Sequence, residues 1–163
     1  MSDSNLTIAI VGATGAVGAV ALELLADRSY PVEHIIAMAS SRSVGKKLAY
    51  LETELTVIEA TPDAFEGVDV AFISASATVS RALAPEAVKR GAMVIDDGSA
   101  FRMDPAVPLV IPEVNGADLE WHSGIVSIPN CTTTPLAMSL SALGQVARVK
   151  RVTVATYQAV SGT

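Results

Sequence analysis

The single cysteine of this 163-residue chain, Cys131, lies in the run Ile-Val-Ser-Ile-Pro-Asn-Cys-Thr-Thr-Thr-Pro at 125–135. Ile125 to Ile128 reads as a strand, Pro129-Asn130 as a break, and the three threonines as helix-start residues ahead of the apolar segment Leu136 to Val146. A thiol at such a corner meets the free N–H groups and positive dipole end of the helix. That setting favours the thiolate a sulfur nucleophile requires. A lone cysteine is also a common core residue, and on these residues alone both roles for Cys131 stay open.

A second stretch with chemical content is Gly12-Ala13-Thr14-Gly15-Ala16-Val17-Gly18, set between the apolar run Leu6 to Val11 and a helical pattern through Leu22, Leu24 and Leu25. Strand, glycine turn and helix in that order let backbone N–H groups approach a pyrophosphate. Gly12, Thr14, Gly15, Ala16, Val17 and Gly18 are therefore candidate dinucleotide contacts, with a purely structural turn as the alternative. His34 to Ala39 reads as the second strand, at whose end an NAD-binding unit places an acid for the ribose 2′-hydroxyl. Here the strand runs into Ser40-Ser41-Arg42-Ser43-Val44-Gly45-Lys46-Lys47. Hydroxyls and cations suit a 2′-phosphate, so this stretch favours NADP over NAD as the cofactor. Lys46 and Lys47 fit a solvated basic loop as well. Ser74 and Ala75, small residues closing the buried run Val68 to Ser74, are expected to pass close to the same cofactor.

The elements that position these residues follow from the apolar pattern. Glu54 to Glu59, Val68 to Ser74 and Met93 to Asp96 read as strands and Ala82 to Arg90 as a helix. Alternating units of this length predict an α/β fold, a Rossmann-like doubly wound and mostly parallel sheet. Pro105, Pro108 and Pro112 predict an extended path from Pro105 to Asn115 rather than a helix. Lys150 to Val160 alternates as a strand does and reads as the start of a second α+β domain that is cut off. The expected domains are 1–130, which binds the cofactor, and 131–163, the nucleophile helix with the first strand of a catalytic domain.

Composition sets outer limits. Half of the residues are hydrophobic but only 4 % aromatic, which suits parallel strands covered by Ala-rich helices. A net charge of −6 argues against nucleic acid or an anionic membrane as partner. One cysteine excludes an internal disulfide framework and fits a cytoplasmic setting. The uncharged run Ser4 to Leu22 has no basic flank and is broken by three glycines, so it reads as a turn-containing unit rather than a membrane segment. No metal site is expected, and His34 and His122 read as structural or surface residues.

Taken together, Gly-Ala-Thr-Gly-Ala-Val-Gly at 12–18, Ala-Ser-Ser-Arg-Ser-Val-Gly-Lys at 39–46, Ser-Ala-Phe-Arg-Met-Asp at 99–104, Pro-Glu-Val-Asn at 112–115, Pro-Asn-Cys-Thr-Thr at 129–133 and Tyr-Gln-Ala-Val-Ser-Gly at 157–162 resemble the N-terminal half of the aspartate-semialdehyde dehydrogenase family. The resemblance implies Cys131 as nucleophile, Gln158 as substrate-orienting residue, and Arg102 with Asn130 as substrate or phosphate contacts. It likewise implies Ser40, Arg42 and Ser43 on the NADP 2′-phosphate. The implied reaction is reductive dephosphorylation of 4-aspartyl phosphate to aspartate semialdehyde through a cysteine thioester, in a homodimer that serves lysine, methionine and threonine biosynthesis. By the same resemblance the acid–base histidine belongs to a later segment, so the 163 residues alone are expected to be inactive. The chain departs from the family at Ile128 and at Asp97-Gly98. The rival readings are an N-acetyl-glutamyl-phosphate reductase, which shares the acyl-phosphate logic, and a non-catalytic NADP-binding module.

Overall fold

A computed structural model describes residues 6–28 and 30–157. Its elements are β1 (Leu6–Val11), α1 (Ala16–Asp27), β2 (Val32–Ala39), β3 (Lys47–Tyr50), β4 (Thr53–Thr56), β5 (Ile58–Glu59), β6 (Val70–Ile73), α2 (Ala77–Lys89), β7 (Met93–Asp96), α3 (Pro112–Asn115), β8 (Ile125–Ser127) and α4 (Thr133–Gly144). Six strands form one parallel sheet in the order β5-β2-β1-β6-β7-β8, while β3 and β4 make a separate antiparallel hairpin. In sequence order the sheet reads 3-2-1-4-5-6, the doubly wound arrangement, whose direction reverses between β1 and β6. A crevice opens at that reversal, above the carboxyl ends of the strands, and both candidate motifs lie at those ends.

β1 is apolar at nearly every position because both of its faces are covered. Ile8 and Ile10 pack with Leu22, Ala37 and Val57 on one side, whereas Ala9 and Val11 pack with Met38, Phe65, Ile73 and Leu83 on the other. The run that a hydropathy window flags at Ser4 to Leu22 is therefore, over its described part, strand, turn and helix. No helix among the described residues is long and apolar enough to cross a membrane.

Four sequence expectations are corrected. The stretch Glu54 to Glu59 is two strands rather than one: β4 pairs with β3, then Val57 bends the chain so that β5 pairs with β2. That bend is held by Gly45 N–H to Val57 O and Val57 N–H to Lys46 O, each 2.9 Å. The helix expected from Ala82 starts earlier, at Ala77, because the Ser76 hydroxyl accepts from Val79 N–H and caps it. The extended path ends at Ile111: Pro112 opens the one-turn α3, where its fixed φ suits a first helical position and its missing N–H costs nothing. Of the strand expected from Lys150 to Val160, Lys150 to Tyr157 has no regular secondary structure and is exposed, since alternation makes a strand only beside another strand and none of the described strands lies there, while 158–160 lie outside the described residues.

Candidate functional site

β1 leaves the sheet at Gly12, whose φ of +87° an L side chain rarely adopts. Gly12 and Ala13 donate to Met38 O at 2.9 and 3.1 Å, and Gly15 donates to Gly12 O at 2.9 Å, which closes the turn. A Cβ on Gly12 would stand 2.1 Å from Ser74 O, so β1 and β6 pass there at a distance only glycine permits. Gly15, the N-cap of α1, brings no side-chain cap. The first-turn N–H groups are thereby left for a ligand, the arrangement an anionic pyrophosphate fits.

A cleft of about 430 Å³ opens at this turn. Gly12, Thr14, Gly15, Ser40, Ser74 and Ala75, all candidate cofactor contacts from the sequence, line it. Ser41, Glu59 and Val79 line it too and were not anticipated; β5 and α2 bring the last two from distant sequence. Ala16, Val17 and Gly18 instead form the first turn of α1, with Gly18 buried under the Gly12 carbonyl. Arg42 and Ser43 belong to a one-turn helical segment beside the cleft, Arg42 exposed and Ser43 buried. Two other clefts, of about 370 and 460 Å³, are lined mainly by aliphatic side chains, with Glu23 and Arg28 their sole charged groups.

The Cys131 corner lies beyond β8, three strands from β1 and so about 14 Å along the sheet. Asn130 organises it. Its side-chain carbonyl accepts from Thr132 N–H at 3.0 Å and from the Thr132 hydroxyl at 2.7 Å, and its backbone carbonyl accepts from Thr133 N–H and Thr134 N–H at 2.8 and 3.2 Å. The expected free amides are thus taken by Asn130, so any help they give the sulfur passes through that residue. Cys131 is exposed, and its thiol points to Asn130 Oδ1 at 3.9 Å. Exposure argues against the core-residue alternative. Helix α4 packs on α3 and buries none of its side chains.

Arg102 joins the corner to the cleft. Its Nε donates to Ile128 O at 3.0 Å and its Nη2 to Asp97 O at 2.8 Å, while the Ser74 hydroxyl donates to the Asp97 carboxylate at 3.0 Å. Ser74 lines the cleft, so a short series of bonds runs from the cleft to the residue three before Cys131. Both departures from the family pattern belong to this series: Ile128 through its carbonyl, Asp97 through its carbonyl and carboxylate. Among the described residues, three of the five N–H groups of Arg102 have no partner.

Beneath this series Asp96 is fully buried, with Ser80 and Ser127 equally buried around it. Among the described residues none of the three side chains has a hydrogen-bond partner of full geometry. Burial pushes the Asp96 carboxyl up, offset in part by the nearby Ser80 hydroxyl, the Gly98 N–H and the Arg102 charge. The folded chain therefore holds the Asp96 proton more tightly than the unfolded chain. The stability this gives is complete at acid pH and is lost as pH rises through the folded value. Relative to Asp96→Asn, which has no proton to lose, the wild type is expected to gain melting temperature as pH falls from 7 toward about 4, the unfolded range for Asp. Parallel thermal melts of both chains across that range check it, and a constant difference would refute it.

Gln158 lies outside the described residues. His34 is exposed beside Glu33, and His122 Nδ1 accepts from Gly124 N–H at 3.0 Å, so both histidines have the surface and structural places expected of them.

A doubly wound sheet with a glycine turn at its first strand, first-turn amides left open and a cleft at the point of reversal defines a dinucleotide-binding domain. Comparison with known proteins narrows the class: the chain belongs to the family described as semialdehyde dehydrogenase, NAD binding domain, which matches residues 7–122. It is 52 % identical over 158 residues to the aspartate-semialdehyde dehydrogenase of Bacillus subtilis, covering 97 % of this chain and 46 % of that protein. Among solved structures it superposes on aspartate semialdehyde dehydrogenase II of Vibrio cholerae complexed with ASA, with a TM-score of 0.82 and 36 % identity over 88 % of this chain and 47 % of that one. The aspartate semialdehyde dehydrogenase of Candida albicans with NADP gives a TM-score of 0.74 at 29 % identity, over 87 % of this chain and 47 % of that one. The chain spans about half the length of the curated relatives it matches.

Proposed function

We propose that the chain is the cofactor-binding and nucleophile-bearing part of an NADP-dependent aspartate-semialdehyde dehydrogenase. In this reading residues 1–130 hold the dinucleotide, and 131–163 begin the catalytic domain. The observation that carries it is the bonded series Ser74–Asp97–Arg102–Ile128, which fixes the sulfur-bearing corner relative to the cleft. Gly12, Gly15 and the first-turn amides of α1 would hold the pyrophosphate; Ser40, Arg42 and Ser43 would meet the 2′-phosphate. A reduced nicotinamide bound there supplies a hydride.

The chain's own residues account for the covalent chemistry. The Cys131 sulfur attacks the acyl carbon of 4-aspartyl phosphate, a C–S bond forms, the C–O bond to phosphate breaks and phosphate leaves with the electron pair. Arg102, with N–H groups to spare, stabilises that anion, and Asn130 keeps the sulfur's backbone fixed. Once the acyl carbon is reduced, the C–S bond breaks, aspartate semialdehyde departs and sulfur returns as thiolate.

Phosphate-dependent NADP reduction with aspartate semialdehyde tests the reading in the reverse direction. Turnover is expected from the full product of the reading frame and negligible turnover from the 163 residues alone, because general acid–base assistance, typically worth about 10²–10⁴-fold, and substrate positioning are not supplied by His34 or His122. Reduction with the N-acetyl-glutamate analogue only would transfer the assignment to the rival reductase. On the cofactor side, Arg42→Ala is expected to weaken NADPH binding by about 1.5–3 kcal/mol, the loss of one charge-assisted contact, while leaving NADH nearly unchanged. Calorimetric titration measures both, and equal losses would remove Arg42 from the 2′-phosphate.

A further inference from the structure

The cleft holds an acid that the sequence around Ser40 does not show. Glu59 ends β5, in register with Ala39 at the end of β2, and Ala60 N–H donates to Ala39 O at 2.9 Å. Its side chain is therefore one strand away from the position where an NAD-binding unit keeps its ribose acid, and it lines the same cleft as Ser40, Ser41 and Gly12. The one-turn segment Ser41–Ser43, which carries Arg42, packs directly on β5. Among the described residues neither Glu59 nor Arg42 is engaged in an ion pair. Two charges of opposite sign without an ion-pair partner among the described residues thus stand on neighbouring elements, Glu59 lining the cleft and Arg42 on the segment beside it.

We propose that Glu59 is a specificity-determining residue that opposes Arg42 and holds open a place for NAD beside NADP. The inference rests on the dinucleotide reading of the cleft and adds to it. A ribose 2′-hydroxyl donates to the carboxylate in a charge-assisted hydrogen bond, whereas a 2′-phosphate is repelled by Glu59 and attracted by Arg42. The selectivity of the site is then a balance of these two side chains, an attractive element matched against a repulsive one.

Titration of the chain with NADPH and with NADH, for wild type, Glu59→Gln, Glu59→Lys and Glu59→Gln with Arg42→Ala, tests it. Wild type is expected to bind both nucleotides. In Glu59→Gln the ratio Kd(NADH)/Kd(NADPH) should rise about tenfold, the worth of roughly one net hydrogen bond. Glu59→Lys should raise it further, and the double variant should return it toward the wild-type value. Far-UV circular dichroism and melting temperature should be unchanged, since Glu59 is exposed. Glu59 variants that bind both nucleotides in the wild-type ratio, or weaken both equally, overturn the inference while leaving the cofactor site in place. A wild-type chain that binds neither nucleotide overturns the dinucleotide reading, and this inference with it.

Discussion

Gly12→Ala is expected to unfold more readily than wild type and to lose nucleotide binding together. Two costs fall on this substitution. An L side chain at φ +87° costs about 1–2 kcal/mol, and the new Cβ would stand 2.1 Å from Ser74 O, so β1 and β6 must separate or the turn must open. The sum is on the order of 3 kcal/mol, which lowers the melting temperature of a chain this size by about 10 °C. Gly45→Ala isolates the first cost, because Gly45 has φ +82° and nothing within 4 Å of its would-be Cβ. NADPH affinity should fall on the order of 100-fold in Gly12→Ala, the worth of about two charge-assisted bonds to displaced amides, and stay near wild type in Gly45→Ala. Thermal melts and titrations of the two variants side by side decide it; similar effects at both positions would show that the close approach of β1 and β6 does not matter.

Cys131→Ala should abolish turnover by the full product of the reading frame while nucleotide binding is retained. The sulfur both forms and breaks the covalent bond in the proposed cycle, so its loss should lower kcat by at least about 10³-fold, with no compensation from raised substrate concentration. Cys131→Ser should resemble Ala, because an alcohol is a poor nucleophile without an adjacent base. A direct readout needs no turnover: native chain incubated with iodoacetamide should gain a single adduct without denaturant, since the only thiol is exposed. A thiol that reacts only after unfolding, or a Cys131→Ala enzyme of near-normal rate, would remove Cys131 from the chemistry.

The parts of the site written in contiguous residues were legible in the sequence. The glycine turn announces itself because glycine spacing and the flanking apolar runs are local properties, and Cys131 because a proline-asparagine break between strand and helix is equally local. Glu59 was not legible. Its meaning depends on β5 lying beside β2, and nothing in Ile58-Glu59 says which strand it will join. Asn130 was recognised by resemblance, yet its hold on the turn before α4 was not, because the threonines looked sufficient to start α4 by themselves. The strand expected at Lys150 to Val160 shows the same limit from the other side: alternation states which faces a strand would have, while the hydrogen bonds that make it a strand come from a neighbour.

The sheet order also has a consequence in time. Strand β1 is made first but lies in the middle, and Ile8 finds its partner Val70 only after the intervening chain exists; the bond from Thr7 N–H to Asp69 Oδ2 spans 62 residues. At synthesis rates of about 5–20 residues per second, one edge of β1 waits roughly 3–12 s for β6. During that interval the glycine turn has no Ser74 to close against, and the apolar edge of β1 is open to other nascent chains. Folding of this domain is thus slow by topology, and the rate of its central step is set by elongation before it is set by any contact.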